Sequence, residues 1–368
     1  MAASRRRESL ERLLVTGVLV LLALFIAHRA VVSDIGVYQV YARNFWLHGS
    51  FPREYPPLAL VPMLLARGLA LALHLDYTRA WLLLSAVVLY VLALAIGRPT
   101  VLVALLPLAS PLLGTYDIWP ILCLVLSYLL LERRPALSWL LLGVAIALKL
   151  FPILFIPLWW QQTRRGWGYL LLPLFTFYPP AMASVLHYQF ARQAEWESTV
   201  SLLSAVLTPS AMVLRHAFGS VEYYSLWSGR LSLLLDGIYG LFFLWIAFLR
   251  RDLGLMQRML LLLSLWFLTN KVLSVQYVFW VVCLAYLEGQ YLYAFGALAW
   301  ATACLYPWLT VIDQAAKVLL GLPDTMAAAL RLAMALVAAR LLIWLGIVKG
   351  LLRRPPPELP VPAGEVPG

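Results

Sequence analysis

Apolar runs of about 20 residues recur along the whole chain, and short polar interruptions separate them. A run of that length and composition predicts a membrane-crossing helix. Leu13–Val32 predicts the first, about 30 Å long. Ile35 to Ser50 is patterned differently. Ile35, Tyr38, Ala42, Phe45 and Trp46 recur near helical spacing with Gln39, Arg43 and Asn44 between them, as in a helix lying in the interface plane. Gly49 ends it, Tyr55-Pro56-Pro57 holds an extended turn, and Pro57 opens a second membrane helix running to about His74.

Further on, Ala80–Ile96 predicts a third span. Val101–Leu113 is short and interrupted by Pro107 and Pro111. Ile118–Leu131, Leu137–Leu148 and Pro152–Trp160 follow, then a full span at Tyr169–Leu186. The longest polar stretch is His187 to Ser228. Leu231–Leu249, Met259–Thr269, Val275–Leu287, Tyr291–Ile312 and Met326–Val348 complete the apolar segments. The pattern predicts an all-α, polytopic integral membrane helical bundle of about 10–13 membrane helices or half-helices. Residues 1–12 are a basic N-terminus, 13–350 one membrane domain with loops at about 33–56 and 187–228, and 351–368 a proline-rich tail expected to be disordered.

Composition strengthens this reading. The chain is 63% hydrophobic and 12% charged, and a soluble domain carries roughly twice that charged share. The net charge of +11 fits basic loops facing anionic lipid and is no argument for nucleic acid. Cys123, Cys283 and Cys304 lie in apolar runs as packed thiols. Neither they nor His48 and His187 show metal-ligand spacing, so no metal or other cofactor is indicated.

The basic residues set an orientation. Arg5, Arg6, Arg7 and Arg12 precede the first run, and Arg133-Arg134, Arg164-Arg165, Arg250-Arg251 and Arg353-Arg354 punctuate the rest. The positive-inside rule puts them, and both termini, in the cytoplasm. Asp34, Asp117, Lys149, Lys271 and the His187–Ser228 loop then share the outer side. Strict alternation would also put Arg98 outside, which leaves the parity of Val101–Leu113 open. Breaks at Pro111–Asp117, Lys149–Pro152 and Asn270–Gln276 each bring polar groups to membrane depth. Such backbone is tolerated only inside protein or along a wet cavity, and one shared outward-facing pocket accounts for all three.

Asp34, at the mouth of a membrane helix, is either a catalytic base or the N-cap of Ile35–Trp46. Lys149 and Lys271 bind phosphate or pair with Asp117 or Glu197. The order helix, acid, amphipathic aromatic loop, Tyr-Pro-Pro, helix resembles the GT-C glycosyltransferases, membrane enzymes that take a sugar from a polyprenyl phosphate. Ala147-Leu148-Lys149-Leu150-Phe151-Pro152 is similar to the lysine-aromatic-proline signature of glycosyltransferase family 87. Asn270 to Trp280 resembles that family's lysine, serine, glutamine-tyrosine and tryptophan block, and Arg192 to Ser198 its outer-loop arginine and glutamate-serine element. Asp34 is followed by Ile35-Gly36 rather than a second acid, so no metal pair is expected there.

The resemblance implies a GT-C-like membrane domain in the cell membrane. It implies transfer of a hexose, mannose in family 87, from a polyprenyl-phosphate donor to a hydroxyl of a lipid or glycan acceptor, with inversion, at the extracytoplasmic face. A sugar hydroxyl needs a base at the moment of attack, and Asp34 is the best-placed carboxylate. A leaving phosphate needs cationic partners, for which Lys149, Lys271 and Arg192 are candidates. Glu54, Tyr55, Asp117, Glu197, Gln276 and Tyr277 are the expected substrate contacts. A lipid-linked-sugar flippase or another polytopic transporter is the alternative; it predicts inverted repeats across the two halves, and the sequence shows none.

Overall fold

The computed structural model describes residues 2–29, 34–207, 213–217, 220–225, 227–289, 291–305 and 324–353. Expectations placed on 30–32, on 306–312 and on the tail 354–368 lie outside the described residues. The rest is an all-α polytopic membrane helix bundle. Four described helices are long and apolar enough to cross a membrane: Glu8–Arg29, Tyr77–Ile96, Ser228–Leu249 and Met334–Arg353. Two bent pairs each make up one more such length: Thr100–Gly114 with Ile118–Leu130, and Trp167–Leu174 with Pro179–Ala191. On the first helix Leu14, Val18, Leu21 and Phe25 all point outward, the apolar face that hydrocarbon covers.

Helix α1 (Ala2–Arg29) already begins in the basic segment before Leu13, where Glu8, Glu11 and Arg12 are good helix formers. Helix α2 (Ile35–His48) buries Ile35, Tyr38 and Ala42 and turns Val37, Val40 and Trp46 outward. Gly49 closes it at φ 64°, its N–H donating to the Phe45 carbonyl at 2.8 Å. Helix α3 (Leu60–Ala72) leads into α4 (Tyr77–Ile96), whose N-cap is Asp76, accepting from the Arg79 N–H at 2.9 Å.

The expected span from Pro57 to His74 is shorter than the helices long enough to cross a membrane. The start of α4 lies beside the start of α2, with the Trp81 and Tyr38 rings 4.7 Å apart. Its far end, Gly97, lies beside Arg12, whose guanidinium stands 3.8 Å from where a Cβ on Gly97 would be. Both ends of α3 therefore sit toward the same end of the bundle as Asp34. Its Arg67 and its shortness for a bilayer fit that placement. Arg98 packs its guanidinium on Gly289, while the neighbouring Glu288 accepts from Tyr128 Oη at 3.3 Å, three residues before Leu131. Arg98 thus shares the end of Arg12 and of the Arg133-Arg134 pair, and the parity conflict disappears. Single cysteines placed at Arg12 and Arg98 in a cysteine-free background should label from the same side of sealed vesicles, and one at Arg53 from the other. Labelling of positions 53 and 98 from one side would contradict the arrangement.

Helices α5 (Thr100–Leu105) and α6 (Ala109–Gly114) run up to a 118° bend at Thr115–Asp117, and α7 (Ile118–Leu130) returns. Helix α8 (Pro135–Leu148) stops at Lys149, and α9 (Ile156–Gln162) continues beyond the break. The expected span Tyr169–Leu186 is instead broken: α10 (Leu171–Leu174) and α11 (Pro179–Ala191) meet at 88°. Pro179 and Pro180 lack the N–H that would continue the helix. Gly143 and Gly166 let 166–170 lie directly on α8, since a Cβ on Gly166 would fall 2.5 Å from the Ala136 Cα.

The 187–228 stretch holds α12 (Thr199–Leu207) and a small sheet that the sequence does not foretell, β1 (Ala194–Glu195), β2 (Val213–Ala217) and β3 (Ser220–Tyr224), in the order β1-β3-β2. Helix α13 (Ser228–Leu244) ends in a π turn, Trp245–Leu249. Helices α14 (Leu255–Thr269), α15 (Tyr277–Glu288), α16 (Leu292–Ala303) and α17 (Asp324–Arg353) complete the bundle. Leu351–Arg353, expected in the tail, continue α17.

Candidate functional site

The three helix breaks converge. Lys149 ends α8, Asn270 to Gln276 joins α14 to α15, and both line one cavity of about 670 Å³. Asp117, from the α6–α7 bend, stands behind its wall and accepts from Lys149 Nζ at 2.5 Å and from Trp280 Nε1 at 2.9 Å. The Lys149 ammonium also lies 4.9 Å from the Tyr277 ring and 5.5 Å from the Tyr116 ring. A lysine at membrane depth is stable only with such partners.

Arg192 and Lys271 bring the second and third cations. Arg192 is ion-paired with Glu195, and its Nε is 3.8 Å from Glu222 of β3. Ser274 donates to both Glu195 oxygens, at 3.0 and 3.1 Å, so the outer-loop element and the 270–276 break are tied together. Lys271 Nζ donates to the carbonyls of Phe190 and Arg192 at 3.1 and 2.6 Å. Both are neutral acceptors. Burial holds the Lys271 ammonium below its ordinary pKa, with the Asp236 carboxylate working against the shift.

The cavity is two-faced. Lys149, Arg192, Lys271, Gln276, Asp236 and Glu54 are among its polar members, and Leu186, Phe190, Leu233 and Trp266 give it an apolar side. Phe190 and Leu233 are themselves open to the outside, 79% and 75% exposed, so this wall continues into the lipid-facing surface.

Asp34 sits next to the cavity rather than in it. Its side chain is half-buried and accepts from Tyr38 Oη at 3.2 Å. Its backbone N–H donates to the Gly114 carbonyl at 3.2 Å, pinning the loop to the α6–α7 bend. It occupies the N-cap position of α2, yet its carboxylate caps no backbone N–H. The Tyr38 ring packs against Tyr55 and Tyr116, each 6.0 Å away, and those two line the cavity. Burial pushes the Asp34 carboxyl up to about 6, and the nearby Glu54 carboxylate adds to the rise while Tyr38 and Lys149 oppose it. Glu54 is held by Tyr41 Oη at 2.8 Å.

Of the expected site residues, Lys149, Lys271, Arg192, Glu54, Tyr55, Gln276 and Tyr277 line the cavity. Asp34 and Asp117 stand behind it. Glu197 faces away: it is buried and pairs with Arg340 of α17 at 2.7 Å, and Arg340 Nη2 also donates to the Glu197 carbonyl at 2.8 Å. Lys149 takes Asp117 as its partner, and neither lysine pairs with Glu197. Arg340→Met should strand that carboxylate in the interior and destabilise the protein by about 3–5 kcal/mol. A thermal-unfolding midpoint unchanged from wild type would show the pair to be inert.

Sequence reasoning missed Asp236, Tyr38, Tyr116, Glu222 and Arg340. Asp236 and Arg340 carried a signal, each a charge inside an apolar run. Among the described residues no group of three His, Cys, Asp or Glu side chains is placed to hold a metal. No protein-family model matches the chain, and no curated protein or solved structure matches it.

Proposed function

We propose that the protein is a membrane glycosyltransferase that moves a hexose, mannose in the family it resembles, from a polyprenyl-phosphate donor to a hydroxyl of a lipid or glycan acceptor. The observation that carries this reading is the cavity's two-faced lining. Three cations converge at one side, and an apolar side runs out to the lipid-facing surface. A polyprenyl phosphate has the matching chemistry: one anionic group that needs charge-assisted hydrogen bonds and a chain that stays in hydrocarbon.

The chemistry follows from the placement. The donor phosphate sits against Lys149, Lys271 and Arg192, with its sugar toward Tyr55 and Tyr116. The acceptor hydroxyl approaches from the Asp34 side. As its oxygen bonds to the anomeric carbon, its proton passes to Asp34 and the bond from that carbon to the phosphate oxygen breaks. The released phosphate monoester takes the electron pair, and the three cations stabilise the charge that develops on it. Direct displacement inverts the anomeric centre, and no carboxylate nucleophile is involved, unlike in a retaining glycosidase. The arginine-rich end faces the cytoplasm and the site faces outward, by the positive-inside rule.

Purified protein given a panel of radiolabelled polyprenyl-phosphate sugars and a membrane lipid extract should form a labelled glycolipid or glycan from one donor. Translocation of the intact donor across a proteoliposome, with no transfer from any donor, would favour the flippase instead. Because Asp34 must be ionised to accept a proton, the transfer rate should rise with pH through an apparent pKa of about 6. A pH–rate profile flat between pH 5 and 8 would remove Asp34 from the proton path.

A further inference from the structure

A second cavity lies at the opposite end of the bundle and has no part in this chemistry. Helix α14 connects the two. Asn270 and Lys271 follow its C-terminal end at the first cavity, and Arg258, in its first turn, faces the second, roughly 18 Å away along the axis. The second cavity, about 700 Å³, is lined by Arg164, Arg251 and Arg258 together with Gln161, Trp160 and Phe248. Among the described residues no carboxylate lines it. Asp252, next to Arg251 in the chain, is held by Arg250 through hydrogen bonds of 2.8 to 3.1 Å and is exposed.

The decisive feature is Arg258. Its side chain is only 3% exposed. Its Nη1 donates to Gln161 Oε1 at 2.7 Å, and Gln161 in turn donates to the Ala247 carbonyl at 2.7 Å. Among the described residues its Nε finds no acceptor. A buried guanidinium with an unmet donor costs free energy until an acceptor is supplied. Among the described residues the acceptor of its charge is a neutral amide, with two further arginines on the same cavity. Arg164 and Arg251 are exposed on the rim. Arg164 lies 5.5 Å over the Trp160 ring, and Arg251 Nε donates to the Phe248 carbonyl at 3.3 Å. Phe248 belongs to the π turn that ends α13. A turn of that kind is rare and recurs at functional sites. Trp160 and Phe248 are 40% and 43% exposed, giving the cavity an apolar lip.

We propose that this cavity binds a phosphate-bearing ligand, and that a phosphomonoester lipid headgroup is the form it takes in the membrane. Guanidinium groups pair with phosphate oxygens through parallel hydrogen bonds, and Arg258 would place its free donor there. The apolar lip lies where the first methylenes of an acyl chain would run. Basic pockets between membrane helices on the arginine-rich side fit such headgroups.

The test uses the full chain in detergent with dioleoyl phosphatidic acid, dioleoyl phosphatidylcholine or inorganic phosphate, read by native mass spectrometry and by thermal shift. Wild type should retain one phosphatidic acid and melt higher with it, and phosphatidylcholine should do neither. Arg258→Gln should weaken retention by about ten-fold or more, as loss of a charged hydrogen bond predicts. Because Arg258 is buried, the rim variant Arg164→Gln/Arg251→Gln provides a second arm that leaves the interior alone, with the same expected loss. Displacement of the lipid by millimolar phosphate would assign the affinity to the phosphate alone. Resistance to it would add the acyl contact. Equal retention of both lipids, or undiminished phosphatidic acid on the rim variant, would overturn the proposal.

Discussion

Asp34→Asn should leave a protein that still binds the donor and transfers sugar about 10²–10⁴-fold more slowly, the share a positioned base contributes. The substitution keeps a hydrogen-bond acceptor for Tyr38 Oη, which stands 3.2 Å from the carboxylate, and removes only the proton acceptor. Donor binding should survive because the proposed phosphate partners are Lys149, Lys271 and Arg192, and Asp34 is not among the cavity's lining side chains. Stability should survive too. An aspartate that capped α2 would be missed when replaced by alanine, but this carboxylate accepts no backbone N–H.

The pH dependence of stability has a definite sign. The Asp34 carboxyl is raised from 3.8 to about 6 in the folded protein. Within that window the unfolded chain has lost the proton and the native protein still holds it, so stability falls as pH rises through it. Above the window the native protein carries an ionised, half-buried carboxylate at a cost, and Asp34→Asn is expected to melt no lower than wild type there. Transfer by Asp34→Asn at more than about a tenth of the wild-type rate would fall far short of a base's share and would shift attention to Glu54 or Asp117.

Lys149→Ala should have the other large effect, and it acts twice. It removes a cation from the proposed phosphate site, so the donor constant should rise and turnover should fall together, as for a group that stabilises both bound phosphate and leaving phosphate. It also strands Asp117, which is 1% exposed and would keep only the Trp280 N–H. Breaking a buried pair from one side costs about 3–5 kcal/mol, so low activity in this variant alone would be ambiguous. The double variant Lys149→Met/Asp117→Asn separates the two effects. It removes both charges and leaves an amide oxygen for Trp280. Its melting temperature should recover toward wild type, since replacing a whole buried pair is often neutral or better, while transfer stays low. Recovery of both stability and transfer would make Lys149 a structural lysine.

The parts of this structure that the sequence made legible are those set by short stretches of chain. Leu13–Val32 reads as a membrane helix because the transfer free energy of a run is a sum over its own residues. The breaks at Lys149–Pro152 and Asn270–Gln276 read as polar inward turns because proline and charge interrupt that sum locally. The Gly49 stop of α2 was visible for the same reason, since a left-handed residue closing a helix favours glycine whatever surrounds it.

What the sequence left undecided depended on partners far along the chain. Asp34 could be written as cap or base from its position alone; only Tyr38, and through it Tyr55 and Tyr116, shows what its carboxylate faces. Glu197 and Lys149 each needed an opposite charge, and the residues supplying them, Arg340 and Asp117, lie 143 and 32 positions away. Local pattern says that a buried charge must be paired and cannot say with which residue, because the desolvation cost belongs to one side chain and its compensation to whichever helix packs beside it. Helix α3 illustrates the same limit for topology. Its composition suits a crossing, and the packing of Trp81 on Tyr38 and of Arg12 beside Gly97 shows that α4 is the helix running between the two ends of the bundle.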